Sequence, residues 1–434
     1  MTATVSSTFS ERAEPLPVRR PTVTVGAVVA MLAATGVVAA VGLLLSIEVA
    51  GILFVGGIFT LAAVRPPLAF VFMLATAPFG YDVGGGPVNM AAADLSMVIA
   101  LGAFVATGRA RLGPNPLRWT VLAYFVVCLV SSVLNGVLAD SVPSMVQMAV
   151  YTIGAVFVFS GCVRRAEDLY PALYAMLAVD LFLVIVQIVS RSNFVLGLHK
   201  NAVGTHMGFG TVVAVGLWLT ATDKRRRRQL ALVAGGLSVG LLLSLSRGAW
   251  LGTACGIVLM FALRGRLLTS LKFVAAATPV VVVCWMLLPE QSKEYATDLR
   301  IDSHNIKARL DSIDFAMTYF KQSPIVGVGV GLRKVYDATN VVMSTLAETG
   351  VLGLATFSSI FATLYWMTFR AARRLDYTDS AYPLLIVGAA LVTAKLVHGL
   401  VDHYWGRGIL PAWAGAGMIV YAYGRARRSA RGVQ

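Results

Sequence analysis

The sequence predicts an all-α, polytopic integral membrane protein of about 12–14 transmembrane helices, with one long external loop containing an amphipathic helix. Three observations carry this. The 434 residues are 57% hydrophobic and only 13% charged, with a mean hydropathy of +0.76, whereas soluble domains are about a quarter charged. The apolar residues fall in runs of about 15–25, the length a helix needs to cross hydrocarbon. The basic residues fall between those runs on alternate sides.

Taken in order, a polar tail over residues 1–22 carries Arg12, Arg19 and Arg20 without an apolar core or cleavage site, which predicts an uncleaved cytosolic N-terminus. Apolar spans follow near 23–43, 45–64, 67–80, 91–108, 118–137, 143–162, 169–190, 202–220, 229–245, 249–263 and 271–289. A hydrophilic segment, 290–341, separates these from spans near 342–368, 381–400 and 409–424, and a basic tail, 425–434, closes the chain. The organisation is therefore a helical block over 23–289, an extracytoplasmic loop, a second helical block over 342–424 and a cytosolic tail.

Charge sets the orientation. With the N-terminus inside, the inner side holds Arg12, Arg19, Arg20, Arg65, Arg109, Arg111, Arg118, Arg164, Arg165, the run "KRRRR" ending at Arg228, Arg264, Arg266, Lys272, Arg370, Arg373, Arg374 and the tail arginines, so that 24 of the 36 Lys and Arg are inside, as the positive-inside rule requires. The net charge of +15 is thus an orientation signal that also suits anionic headgroups, and no nucleic-acid partner is needed. Cys128, Cys162, Cys255 and Cys284 lie in or beside apolar runs without CxxC or metal-ligand spacing, which argues against a disulfide framework.

The outer side carries the chemistry. Segment 290–341 has seven basic and seven acidic residues, and His199, His206, His304, His398 and His403 all map to outer loops or outer helix ends. In "LLLSLSRGAWLGT", Arg247 is the one charge in the 35 residues from Gln229 to Leu263. A guanidinium in mid-bilayer costs roughly 2.5–3.5 kcal/mol on insertion scales. The run is too long for one helix, so "SLSRG" predicts a hairpin tip with Arg247 near the outer interface. There it is either an interfacial anchor or a ligand group.

"SHNIKARLDSIDFAMTYFKQSP" predicts an amphipathic helix on the membrane surface or on the bundle, with Ile306, Leu310, Ile313, Met317 and Phe320 on one face and Ser323-Pro324 as the stop. Lys307 and Arg309 stand in its first turn, where the helix dipole disfavours cations; an anionic ligand, or local pairing with Asp302, Asp311 or Asp314, would account for them. The following "GVGVGLRK" permits close backbone approach to a ligand or a tight re-entry toward the membrane. In "ATNVVMSTLAETGVLGLATF", Glu348 lies about two turns into the next span, a placement that calls for a partner; Arg247 and Arg309 are candidates. In "RSNFVLGLHKNAVGTHMGFG", Arg191, His199, Lys200 and Asn201 gather at the outer end between two spans.

The order of the "SRGAW" hairpin, a long outer loop, "R-x(5)-F…SPIVGVGVG" and "N-x(5)-LAETGVLGL" resembles the O-antigen ligase and Wzy-type polymerase family of bacterial membrane glycosyltransferases, most strongly over about residues 190–370. The resemblance implies a metal-independent, cofactor-free, inverting glycan ligase or polymerase in the bacterial inner membrane, with its active site on the extracytoplasmic face. It would transfer an undecaprenyl-diphosphate-linked glycan to a hydroxyl of a glycan or lipid-linked acceptor. The donor, the acceptor, the bilayer and other polysaccharide-assembly proteins are the implied partners.

On this basis Arg247, Arg309, Glu348 and His398 are the catalytic candidates. Arg191, Lys200, Arg247, Arg309, His304 and Asn340 are the candidates for binding diphosphate or glycan. Arginine suits a leaving diphosphate because its planar fork is permanently charged and bidentate. No Asp-x-Asp or histidine cluster with ligand spacing marks a metal site in the outer loops.

One position departs from the family pattern: Thr339 stands where ligases carry a histidine before the asparagine. This favours a polymerase-like or divergent member and leaves His304, His398, His403 and Asp402 as candidates for the base, with His398 and Asp402 at i, i+4 on one helical face. For His403 and Tyr404 an interfacial belt is the competing assignment. A transporter or flippase of lipid-linked glycans remains the alternative function, pointed to by Asp180 and Lys395 inside spans, and an inert assembly scaffold is a third.

Overall fold

The computed structural model describes residues 47–80, 91–109, 115–192, 194–269, 304–332, 339–405 and 408–430, together with isolated positions between 282 and 293. The chain divides into units at Met1–Ala50 and Gly51–Gln434, and the second carries the helical bundle. Among the described residues the regular structure is helical, with only an isolated bridge between Val195 and Leu198. Six helices among them are long and apolar enough to cross a membrane, so the chain is an all-α polytopic membrane protein. The expected spans 23–43 and 271–289 lie outside the described residues.

In chain order the helices are α1 (Ile47–Val64), α2 (Pro66–Thr76), α3 (Ala92–Ala106), α4 (Leu117–Leu134), α5 (Leu138–Gly161), α6 (Tyr170–Ser190), α7 (Lys200–Thr220), α8 (Lys224–Leu243), α9 (Arg247–Leu263), α10 (His304–Gln322), α11 (Val341–Ala372), α12 (Ala381–His398) and α13 (Leu410–Ser429). The "KRRRR" run, expected as loop, forms the first turn of α8. Asp223 makes this possible by accepting from the backbone amides of Arg225 and Arg226 at 3.3 and 2.9 Å, which satisfies amides that a helix start otherwise leaves without partners.

α7, α12 and α13 form the interior, and their residues are mostly buried. Glycine sets how closely they approach. On α9, Gly248, Gly252 and Gly256 recur every four residues and face His398, Ala394 and Ala390 of α12; a Cβ on Gly252 would stand 2.3 Å from the Ala394 carbonyl oxygen, and one on Gly256 2.8 Å from that of Ala390. On α7, Gly204 and Gly208 press against Ser244, Ser246 and Thr253 in the same way. In lipid, where association rests on packing, such small-residue stripes let helix backbones touch.

Helix α11 is broken. Gly350 adopts φ 66° and ψ −165° in the midst of its span, a conformation that favours glycine. The break would strand backbone groups, but residues 324–331 fold into it. Val351 and Leu352 donate to the carbonyls of Pro324 and Ile325 at 2.9 and 3.2 Å, and Val328 and Gly329 donate to those of Ala347 and Glu348 at 3.0 Å each. The end of α4 completes the seal: Ser131 Oγ donates to the Glu348 carbonyl at 2.8 Å and Asn135 Nδ2 to that of Gly327 at 2.9 Å. Irregular backbone at membrane depth is tolerated when protein satisfies it in this way. "SPIVGVGVG" is thus the re-entrant segment that fills the gap in "LAETGVLGL".

The stripe on α9 yields a test. Gly252→Ala meets backbone that cannot move aside and should destabilise the purified protein by about 1–3 kcal/mol. Gly235→Ala on α8, with nothing within 4 Å, should leave the thermal midpoint in detergent unchanged or raised.

Candidate functional site

At one end of the bundle the start of α7, the α8–α9 hairpin tip, the start of α10 and the turn after α12 come together. The tip falls at "SLSRG" as expected: α8 ends at Leu243 and α9 opens with Arg247. It is a tight turn, with Leu245 at φ 54° and the Trp250 indole donating to the Leu241 carbonyl at 2.7 Å. Gly248, one residue on, lies against Val401 and the His398 ring, where an added Cβ would be 2.6 and 2.8 Å from their nearest atoms. Arg247 is half-buried beside this contact.

Arg309 reaches the same turn from α10, its Nη1 donating to the Val401 carbonyl. It thereby satisfies a backbone carbonyl of the turn that follows α12. Among the described residues it has no ion pair with Asp311 or Asp314, and Asp302 lies outside them. The face of α10 that packs inward is not the expected apolar stripe. Ser312 and Ala316 are buried, Ile313, Met317 and Phe320 are partly buried and Leu310 is 44% exposed, because small side chains allow the helix to seat closely with the larger apolar ones at its flank. Arg309 shares the inward face, i, i+3 and i+7 with Ser312 and Ala316.

Lys200 occupies the first position of α7, and the charges of Arg309 and Arg247 act on its ammonium from nearby, with Asp402 as the opposing charge. Two helix N-termini, those of α7 and α9, add their positive ends. The outcome is a concentrated positive field opposed by one carboxylate, the electrostatic arrangement of an anion site.

His398 closes the cluster. Its Nε2 is 3.2 Å from Asp402 Oδ2 and its Nδ1 is 3.2 Å from Thr205 Oγ1. α12 ends at His398, so the pair spans the terminal turn and does not share a helical face, contrary to expectation. The Thr205 hydroxyl also has the Asn201 carbonyl at 2.7 Å. Burial works against charge on Asp402, but the His398 hydrogen bond and the charges of His398 and Lys395 outweigh it and hold the carboxyl below its ordinary range.

The other expected residues take different places. Asn340 is the N-cap of α11: Oδ1 accepts from Val342 and Met343 at 2.9 and 3.2 Å and Nδ2 donates to the Leu400 carbonyl at 2.8 Å. Glu348, 4% exposed, accepts from the Gly331 amide at 3.0 Å, which ties it to the re-entrant segment. Arg191 is the exposed, left-handed C-cap of α6, with no hydrogen bond or ion pair among the described residues. His304 heads α10, and its side chain lies outside the described residues. Thr339, at the departing position, donates its amide to Ser312 Oγ at 2.9 Å.

Two placements are corrected. His206 is not at an outer end but two turns into α7, buried against Phe209 and Gly408. Tyr404 is not part of an interfacial belt: it is buried with Trp405 among Tyr124, Phe357 and Trp413. Lys395 lies inside its span as expected, in the last turn of α12, where Nζ donates to the His403 carbonyl at 2.7 Å. Thr205 was missed because a lone threonine one turn into an apolar helix has no sequence signal; its role arises only from its distance to His398.

Asp402 gives a pH test. A carboxyl with a lowered native value adds stability above its unfolded value, near 4, and loses it as the pH falls through the native one. Asp402→Asn should therefore lower the thermal midpoint at neutral pH, with the gap closing only well into acid. A gap already gone at about pH 6 would contradict an ionised Asp402.

No curated protein matches the chain. Residues 231–358 match the family described as O-antigen ligase; this region takes in α8 from its third turn, α9, α10 and the broken part of α11, and so Arg247, Arg309 and Glu348, while Lys200, Thr205, His398 and Asp402 lie outside it. The matched stretch, a little under a third of the chain, is thus similar to the O-antigen ligase family.

Proposed function

We propose that the protein is a glycan ligase or polymerase that transfers a polyprenyl-diphosphate-linked glycan to an acceptor hydroxyl at the extracytoplasmic face of the bacterial inner membrane. The family match supports glycan ligase or polymerase activity in general. The observation that carries the finer reading is the convergence of Lys200, Arg247 and Arg309 on the His398–Asp402 pair.

In this reading the three cations hold the donor's diphosphate, while its lipid tail stays in the bilayer. The acceptor oxygen attacks the anomeric carbon with inversion, the bond from that carbon to the diphosphate oxygen breaks, and the electron pair leaves on the diphosphate. Fixed guanidinium groups stabilise this growing charge in the transition state, where preorganised donors act most strongly. The attacking hydroxyl gives its proton to His398 Nδ1, with Asp402 orienting the ring from the other nitrogen. Thr205 can release that nitrogen because the Asn201 carbonyl already offers its hydroxyl a partner. Arg191 and His304 stay, on sequence grounds, the proposed contacts for the glycan. Glu348 and Asn340 shape the site through the backbone they hold.

Arg247→Ala and Arg309→Ala should each lower transfer at least about 100-fold in proteoliposomes supplied with purified lipid-linked donor, while membrane insertion persists. Arg→Lys should restore little, since it loses the planar fork. Normal product from both alanine variants would reject the reading. A transporter would relocate the donor without lengthening or joining a glycan, so product length in the same assay separates the two. Transfer should also continue at an unchanged rate in excess EDTA, because the proposed charge stabilisation comes from side chains alone.

A further inference from the structure

At the opposite end of the bundle, α4, α5 and α13 enclose a groove of about 880 Å³, within the range of about 300–1,000 Å³ typical of small-molecule sites. It is remote from the cluster just described: α13 begins beside His206 and lines the groove only from Val420 onward, some two to three turns further along.

Two kinds of residue meet there. Arg109, Arg118, Arg164 and Arg428 surround the groove, drawn from the ends of four different helices, and none of its lining residues is acidic. The walls are apolar, and Trp119, Leu122 and Ile153 are more than half exposed, so the groove opens sideways where hydrocarbon would lie. One wall is a π-helical turn, Val150–Ala155, interrupting α5. It contributes Thr152 and Ile153 to the lining, and such turns cluster at functional sites.

We propose that this groove binds one anionic phospholipid, with an acyl chain against the apolar walls and the phosphate among the four arginines. Charge complementarity selects this occupant: guanidinium forks match phosphate oxygens bidentately, and these arginines lie in the loops whose charge assigns them to the cytosolic side, the leaflet richer in anionic lipid. A zwitterionic headgroup also offers a phosphate, but its cationic end meets four arginines and no carboxylate in the described lining, so it gains less. The basic start of α8, Lys224–Arg228, supplies a comparison, because it lies on an exposed helix surface and lines no part of the groove.

Native mass spectrometry of the full chain in detergent tests this, with phosphatidylglycerol and phosphatidylcholine of equal chain length supplied together. One phosphatidylglycerol should be retained about tenfold over phosphatidylcholine. Arg118→Ala with Arg164→Ala should remove that preference, whereas Arg225→Ala with Arg228→Ala should leave it intact. Ile153→Trp, which narrows the groove without touching charge, should expel the lipid, and this arm decides the matter if the arginine variant fails to fold. Equal retention of both lipids, equal loss in the α8 variant, or unchanged retention in Ile153→Trp would overturn the proposal. So would displacement of the lipid by excess inorganic phosphate, which would mark a site for the free ion.

Discussion

Contact between the backbones of α9 and α12 governs the candidate site. Gly248, Gly252 and Gly256 present no side chain to α12, and an added Cβ at Gly252 would overlap its main chain. Within a bilayer, helices gain nothing from hiding apolar groups from each other's surroundings, so van der Waals contact and satisfied backbone must hold them. The antiparallel arrangement brings the first residue of α9, Arg247, to the last residue of α12, His398. The turn beyond His398 then becomes an anchor for its neighbours: Arg309 bonds Val401, Asn340 bonds Leu400 and the Val341 amide bonds Gly399.

The second constraint is the interrupted α11. A helix that breaks in hydrocarbon exposes amides and carbonyls at several kcal/mol each, so its partner segment must arrive with matching geometry. Gly327, Gly329 and Gly331, at φ 73°, 105° and 113°, supply it, and Glu348 clamps the last of them. The alternating glycines and the acidic residue are therefore two halves of one structural unit, separated by the start of α11 and the loop before it. Glu348, one of the catalytic candidates, thus also holds backbone.

Charge has different meanings at the two ends. Where the α7 and α9 helices begin, cations stand against helix dipoles and against each other. At the far end arginines lie along an exposed helix surface, as on α8. Among the described residues, it is around the groove between α4, α5 and α13 that they gather beside an apolar hollow.

Composition, run length and the side preference of arginine were enough to determine an all-helical membrane protein, because a bilayer admits few other ways to satisfy a backbone. The hairpin at Arg247 and the helix of residues 304–322 were also legible, since each is a local pattern of period and stop signal. What the residues do to one another was not. Thr205 meets His398 across 193 residues of sequence, Asp402 joins them through a turn, Asn340 commits its amide to a cap, and the small face of α10 seats against the bundle in place of its apolar one. Local sequence specifies helices and their ends; which faces touch depends on close packing between distant segments, and only the folded chain decides that.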